Sequence, residues 1–417
     1  MMHGHEKSDP NMVAEMSANN AVSAAAEPAE RKAGTKGNAS GQSTSRVQSR
    51  TGVSQALERV RTAARERKTE RFTSLLHHIS VDLLRQSFMA LKRAAAPGVD
   101  GVTWSDYAAD LERKLTDLHG RVHRGAYRAL PSRRVYIPKA DGQQRPLAVA
   151  ALEDKIVQRA AATVLNSIYE EDFLGFSYGF RPGRGPHDAL DALAVAIGSR
   201  RVNHILDADI KAFFDTVDQE WLVRFLQHRI GDTRMMRLIQ KWLKVGVLED
   251  GVVTSSETGT GQGSVISPLL ANVYLHYVFD LWAEQWRRRE ATGDMIIVRY
   301  ADDIVVGFEH ETDARRFWDD MGKRLEEFAL RLASGKDPSA RVRPLRCGRS
   351  KAARARKTGN VRLPGLHPHL WSLASWRSAR GTTWRIPTPP AHPTRPHAWQ
   401  AQRGQGRVAT AYAPADP

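Results

Sequence analysis

Met295-Ile296-Ile297-Val298-Arg299-Tyr300-Ala301-Asp302-Asp303-Ile304-Val305-Val306-Gly307-Phe308 is the stretch whose reading decides how this chain folds. Two β-prone apolar runs flank an acidic pair with almost no linker between them. The pattern predicts a hairpin whose tight turn carries Asp302 and Asp303, with the strands anchored in a core and the carboxylates held at a surface. Aspartates are common in turns for a humbler reason, since their side chains bond nearby backbone amides. A second segment decides between these readings.

Leu206-Asp207-Ala208-Asp209-Ile210-Lys211-Ala212-Phe213-Phe214-Asp215 places acids where a short buried strand ends. Asp209 sits at a strand-to-helix transition, where a side chain projects into a cleft. Alternation puts Asp207 on the same face, and Asp207 is read as structural. Asp215 and Asp218 are read as helix caps. Asp209, Asp302 and Asp303, on adjacent strands, are the predicted ligands for two hard cations such as Mg²⁺, with Mn²⁺ as a substitute. Two such ions about 3.5–4 Å apart activate an attacking 3′-hydroxyl and stabilise a leaving pyrophosphate.

Outward from these segments, helices and strands interleave without a strict βαβ repeat, so the expected class is α+β. A charged helical pattern begins at Ser54 and runs through Gln55–Arg61, Val81–Ala94 reads as a second helix, and Trp104–Leu118 as another. Arg133–Pro138 and Arg145–Val149 read as a hairpin turning at Asp141-Gly142. Residues 151–170 and 188–197 read as helices, 218–244 as helix, turn, helix, 264–290 as one long helix, and 311–330 as a last amphipathic one. Residues 1–52, rich in Ala, Ser, Gly and Asn, are expected to be disordered.

The chain has 417 residues, a formal net charge of +16 and a single cysteine, Cys347. One cysteine excludes a disulfide framework and a cysteine-rich zinc module. No run of apolar residues is long enough for a membrane helix, and the first thirty residues lack a secretory apolar core; a cytoplasmic, nucleoid- or RNA-associated location is expected. The charge is unevenly spread. Residues 333–417 hold 16 of the 62 Lys and Arg but only two acids, Asp337 and Asp416, leaving residues 1–332 nearly neutral. Global basicity is therefore a weak argument for nucleic-acid binding, and the motifs must carry it.

Tyr300-Ala301-Asp302-Asp303 between apolar strands, with Asp209-Ile210-Lys211-Ala212-Phe213-Phe214 upstream, resembles a reverse transcriptase palm. The dialect is similar to bacterial group II intron-encoded reverse transcriptase/maturases, from about Ser87 to Leu332. The resemblance implies fingers and palm of a right-hand polymerase, with 53–200 as amino-terminal extension and fingers and 201–332 as palm. It implies RNA-directed DNA polymerisation with dNTPs, an RNA template (the group II intron RNA) and a DNA or RNA primer, with splicing and mobility roles in the intact family.

Other motifs extend it in order. Val135-Tyr136-Ile137-Pro138-Lys139 and Gln144-Arg145-Pro146-Leu147 resemble the fingers hairpin, which implies that Lys139 and Arg145 contact the incoming triphosphate. Ser177-Tyr178-Gly179-Phe180-Arg181-Pro182-Gly183-Arg184-Gly185 resembles the second fingers motif, implying that Arg181 and Arg184 touch template phosphates. Phe214 is implied to lie under the sugar and disfavour ribonucleotides. Thr258-Gly259-Thr260-Gly261-Gln262-Gly263-Ser264 resembles the loop before the long palm helix, with Gln262 beside the nucleotide. The family usually has Pro before this Gln; here it is Gly261, which would loosen the loop. Pro97-Gly98-Val99-Asp100-Gly101 favours the intron type over retron or diversity-generating relatives.

The resemblance stops near Leu332. Residues 333–417 contain 11 of the 20 prolines and no Glu or Phe, a composition unlike a packed thumb or maturase domain. A reading-frame change near Leu332 is one expectation for this low-order basic tail, and the gene's nucleotide sequence tests it. A catalytically impaired RNA-binding remnant is the competing reading of the whole chain.

Overall fold

The computed structural model describes residues 41–138, 144–261, 263–333 and 342–344, with only the backbone of Arg145 and of residues 41–51 and 342–344. Helix α1 (Gly41–Glu66) opens the fold, followed by α2 (Val81–Met89), α3 (Trp104–Ala108) and α4 (Leu111–His123). The strands β1 (Ser132–Pro138) and β2 (Gln144–Val149) precede α5 (Leu152–Asp172) and α6 (Pro186–Ser199). Then come β3 (His204–Asp209), α7 (Phe213–Thr216), α8 (Gln219–Gln227), α9 (Thr233–Lys244), β4 (Val247–Glu249) and β5 (Val252–Thr254). The chain continues through α10 (Ser267–Leu275), a π-helical turn (His276–Asp280), α11 (Leu281–Arg289), β6 (Met295–Tyr300), β7 (Asp303–Phe308), α12 (Glu311–Glu326) and β8 (Val342–Pro344). The mixed α+β class is as expected. Among the described residues no helix is long and apolar enough to cross a membrane.

Two four-stranded sheets organise these elements, one ordered β2-β1-β4-β5 and the other β6-β7-β3-β8. In the first, β1 runs parallel to β4, pairing Ser132 with Val247. The expected boundary at residue 200 therefore cuts across a sheet, because β4 and β5 lie beyond it in sequence. The second sheet is antiparallel throughout and has a main core on one face and a smaller one on the other. Leu206, Ala208, Ile304, Val306 and Ile297 face the main core with α8, α10 and α12. Ile205, Val305, Val298 and Tyr300, at the alternate positions, pack with Ala189 and Leu193 of α6. Period-two alternation on a pleated strand produces this division.

Three expectations need correction. Residues 41–52, read as disordered, are the first turns of α1. The later part of that helix is fixed by burial of Val60 and Ala64 in the main core and by Arg65, whose guanidinium donates to both Glu171 oxygens at 2.9 and 3.1 Å. The predicted single helix over 264–290 is interrupted by the π-helical turn at His276–Asp280. The predicted helix over 104–118 is two, parted at Ala109-Asp110. Residues 1–40 and most of the basic tail lie outside the described residues, as does the hairpin turn at 139–143. Part of the tail joins the fold: β8 pairs antiparallel with β3, setting Val342 opposite Leu206.

Candidate active site

Asp209 ends β3 directly opposite Asp303, the first residue of β7. Tyr300 stands opposite Asp303 on the other side, so Ala301 and Asp302 alone make the turn. Residues paired across an antiparallel ladder have Cα atoms about 4.5–5.5 Å apart and side chains on one face. The two carboxylates thus project from the face covered by α6, at the end of the sheet. Asp302 is buried, and Asp209 and Asp303 are half-buried.

Both carboxylate segments are followed or preceded by an unusual backbone. Ala301 has φ +54 and Ala212 has φ +46, left-handed conformations that a residue with a Cβ adopts only where its surroundings enforce them. After Asp209 the chain is held on its outer side, where Ala333 N–H donates to the Asp209 carbonyl at 2.8 Å and Lys211 N–H to the Arg331 carbonyl at 2.9 Å. Asp218 caps α8 as expected, accepting from Trp221 N–H at 2.9 Å. Asp215 is not a cap; it lies inside α7 and is exposed.

Among the described residues no three His, Cys, Asp or Glu side chains stand close enough to form a ready-made metal cluster. What the fold supplies is backbone register and an all-oxygen donor set, the chemistry a hard divalent cation prefers. Asp209, Asp302 and Asp303 fit such a group on those two grounds.

The loop after α5 is joined to the turn from behind. Arg299 N–H donates to the Phe176 carbonyl and Tyr178 N–H to the Arg299 carbonyl, each at 2.9 Å. Asn272 Nδ2 donates to the Gly179 carbonyl at 2.7 Å. Gly179 lies against Ala301 so closely that no side chain fits between them.

This arrangement overturns one expected template contact. Arg181 is only 5% exposed. Its Nε and Nη2 donate to Glu170 at 3.0–3.2 Å, and its Nη1 donates to the carbonyls of Leu174 and Ser177 at 2.8 Å. A buried guanidinium tied to Glu170 of α5 and to the carbonyls of its own loop is not placed to meet a phosphate. Arg184 also bonds its loop, at 2.7 Å to the Gly175 carbonyl, and stacks over Tyr178, but remains half-exposed.

Phe214 is half-buried, with its ring edge-on to Phe180 at 6.1 Å and tilted against Phe213 at 5.5 Å. Lys139, Gln262 and the side chain of Arg145 lie outside the described residues. The backbone around Gln262 departs from a proline-containing loop, for Gly261 has φ +70, which a pyrrolidine ring locked near −65° cannot adopt. Beside this glycine loop is a cavity of about 210 Å³ lined by Asp154, Gln158, Trp242, Thr260 and Ser264, among others. Gln158 Oε1 ties α5 to the loop, accepting from Ser264 Oγ at 2.9 Å and Val265 N–H at 3.1 Å.

Sequence reading missed Arg299 and Asp280, both fully buried and paired at 2.6 Å. The signal was present. A charged residue on the core-facing register of an otherwise apolar strand demands a buried partner.

Comparison with known proteins agrees with this geometry. Residues 137–342 match the family described as reverse transcriptase (RNA-dependent DNA polymerase). The chain is 36% identical to protein YkfC of Escherichia coli K12 over 249 residues, covering 52% of this chain and 65% of that protein. It is 34% identical to the group II intron-encoded protein LtrA of Lactococcus lactis subsp. cremoris over 222 residues, covering 53% and 37%. It is 41% identical over 146 residues to the 91 kDa protein in the cob intron of Schizosaccharomyces pombe, covering 35% and 18%. The chain thus spans about two thirds or less of the length of these relatives. With a family match that takes in both carboxylate segments and the strands that align them, residues 137–342 are similar to a reverse transcriptase domain.

Proposed function

We propose that this chain is an RNA-directed DNA polymerase of the group II intron type, transferring nucleotides from dNTPs to the 3′-hydroxyl of a DNA or RNA primer along an RNA template. The observation that carries the proposal is the cross-strand register of Asp209 and Asp303, with Asp302 adjacent in the turn. Asp209, Asp302 and Asp303 hold Mg²⁺, or Mn²⁺ in its place. Bound divalent ions supply activation of the attacking hydroxyl and stabilisation of the leaving pyrophosphate.

The chain's own residues do the rest. Phe214 forms a wall under the sugar that disfavours a 2′-hydroxyl. Lys139 and Arg145 engage the triphosphate, Arg as a planar fork, and Gln262 lies beside the nucleotide. Arg184 remains the candidate for a template phosphate in the second fingers motif. The intron RNA is the proposed natural template, and the cell interior the proposed location. LtrA is, by its name, encoded in a group II intron, which supports this choice of RNA.

Primer extension on an RNA template, with Asp302→Ala as control, tests the proposal. Incorporation by the parent that the substitution abolishes is expected. No incorporation by either protein, with RNA binding intact, overturns it in favour of an RNA-binding remnant.

A further inference from the structure

We infer that Arg299 and Asp280 are positioning residues that set the carboxylate turn from its buried side, an inference that rests on the reading of that turn as the catalytic centre. Arg299 lies three residues before Asp302 on β6, on the face opposite the carboxylates. Its side chain is fully buried, and every N–H of the guanidinium is committed. Nε and Nη2 donate to the two oxygens of Asp280 at 2.7 and 2.6 Å. Nη2 also donates to Ser177 Oγ at 2.7 Å, and Nη1 to Asn272 Oδ1 at 3.1 Å. The remaining bond reaches the turn itself: Nη1 donates to the Ala301 carbonyl at 2.8 Å.

That last contact explains why a non-glycine residue holds a left-handed conformation there. Ala301 at φ +54 is a position where the chain would relax if nothing fixed its carbonyl. A charge-assisted bond from a guanidinium with no freedom of its own fixes it. Asp302 and Asp303, which follow that peptide directly, inherit its orientation.

The interrupted helix belongs to the same device. Asn272 and Asp280 are eight residues apart, which round an unbroken α-helix leaves them about 80° out of line. The wider π-helical turn at His276–Asp280 takes up this offset, so one guanidinium meets both residues. Single π turns inside α-helices are often found at functional sites. Here its effect is to bring the Asp280 carboxylate to the guanidinium that holds the turn.

Buried ion pairs are poor sources of stability, since apolar residues of similar volume often replace them without loss. That property separates positioning from folding. The test uses the full chain and two readouts: Mn²⁺ affinity by electron paramagnetic resonance, and kcat and KM for dNTP in primer extension. The paired change Arg299→Met with Asp280→Leu is expected to fold but melt below the parent, since the acceptors at Ser177, Asn272 and Ala301 lose their donor, to bind Mn²⁺ about 10- to 100-fold more weakly and to lower kcat by a similar factor. KM for dNTP stays within about threefold of the parent, because no group touching the nucleotide is altered. Mn²⁺ affinity and kcat equal to the parent's overturn the inference. If the paired variant fails to fold, Arg299→Lys carries the test: it keeps the charge beside Asp280 but loses the fork, and unchanged affinity and kcat overturn the inference equally. Asp302→Ala, run alongside, distinguishes the two readings. If parent Mn²⁺ binding survives Asp302→Ala, the reading of the turn as the metal-binding centre fails, whatever Arg299 does.

Discussion

A Cβ placed on Gly179 would lie 2.1 Å from the backbone nitrogen of Ala301 and 2.9 Å from its Cα. Backbone cannot yield as a flexible side chain can. Gly179→Ala is therefore expected to cost about 1–3 kcal/mol or more and to displace the turn, abolishing primer extension. Gly175→Ala is the control, since nothing lies within 4 Å of its added methyl. Thermal melting and primer extension of the two variants check this; equal behaviour would mean that the loop and the turn are not in contact.

The acids around α7 divide into separable roles. Asp209→Asn is expected to abolish incorporation with little change in melting temperature. Asp218→Ala removes the cap on Trp221 N–H, costing about 1 kcal/mol of stability with kcat retained. Denaturant unfolding alongside primer extension reads both, and inactivity of Asp218→Ala at full stability would refute its assignment as a cap.

The two arginines of the fingers loop should behave oppositely. Arg181→Ala leaves Glu170 without its buried partner and is expected to destabilise by about 3–5 kcal/mol. Arg184→Ala should leave melting nearly unchanged while weakening RNA binding and reducing the salt slope by about one. Filter binding over a salt series checks this. A folded Arg181→Ala protein with a reduced salt slope would restore that residue to the template.

Shape selection at the sugar has its own signature. Phe214→Val is expected to raise ribonucleotide over deoxynucleotide use by at least about tenfold, equivalent to roughly 1.4 kcal/mol in the transition state. Competition between rNTP and dNTP in primer extension measures it, and an unchanged ratio would leave Phe214 with core packing alone.

Two buried groups give stability opposite dependences on pH. Burial, opposed by hydrogen bonds from the Tyr127 hydroxyl and Leu130 N–H, pushes Asp154 from 3.8 up to about 6. The folded state therefore binds the proton more tightly, so this contribution is full below about pH 4 and lost as pH rises through about 6. Its size is on the order of 3 kcal/mol. Burial lowers His276 from 6.5 to about 4, so its contribution is full above about pH 6.5 and lost as pH falls towards 4. Asp154→Asn removes the first and keeps the second. The variant should melt at or above the parent at pH 7 and lose that advantage by pH 4.5. Calorimetric scans across this range check it, and a parallel pair of curves would contradict it.

How far the fold was legible depended on whether partners are near in sequence. The Met295–Phe308 hairpin could be read because two apolar runs and a polar break carry their own register. Asp209 could be read as a partner because it too ends a short apolar strand, but its register against Asp303 joins segments almost a hundred residues apart and no local pattern fixes it. The Arg299–Asp280 pair depends on a π-helical turn that propensity does not reveal. Arg181 was misread because an Arg/Gly/Pro loop has the same composition whether its guanidinium points outward or inward. The start of α1 was missed because residues 41–52, rich in Ser, Thr, Gln and Arg with one Val, have no apolar period of their own.

The strand β8 leaves one more mark on the molecule. By lying along β3 between His204 and Leu206, it occupies a row of amides and carbonyls that would otherwise be open to any extended peptide, including another copy of the same chain. A shortened version ending at Ala333 would bare that row and invite self-association. One retaining Val342–Pro344 would stay capped, so the first residues of the proline-rich tail act as a guard for the rest.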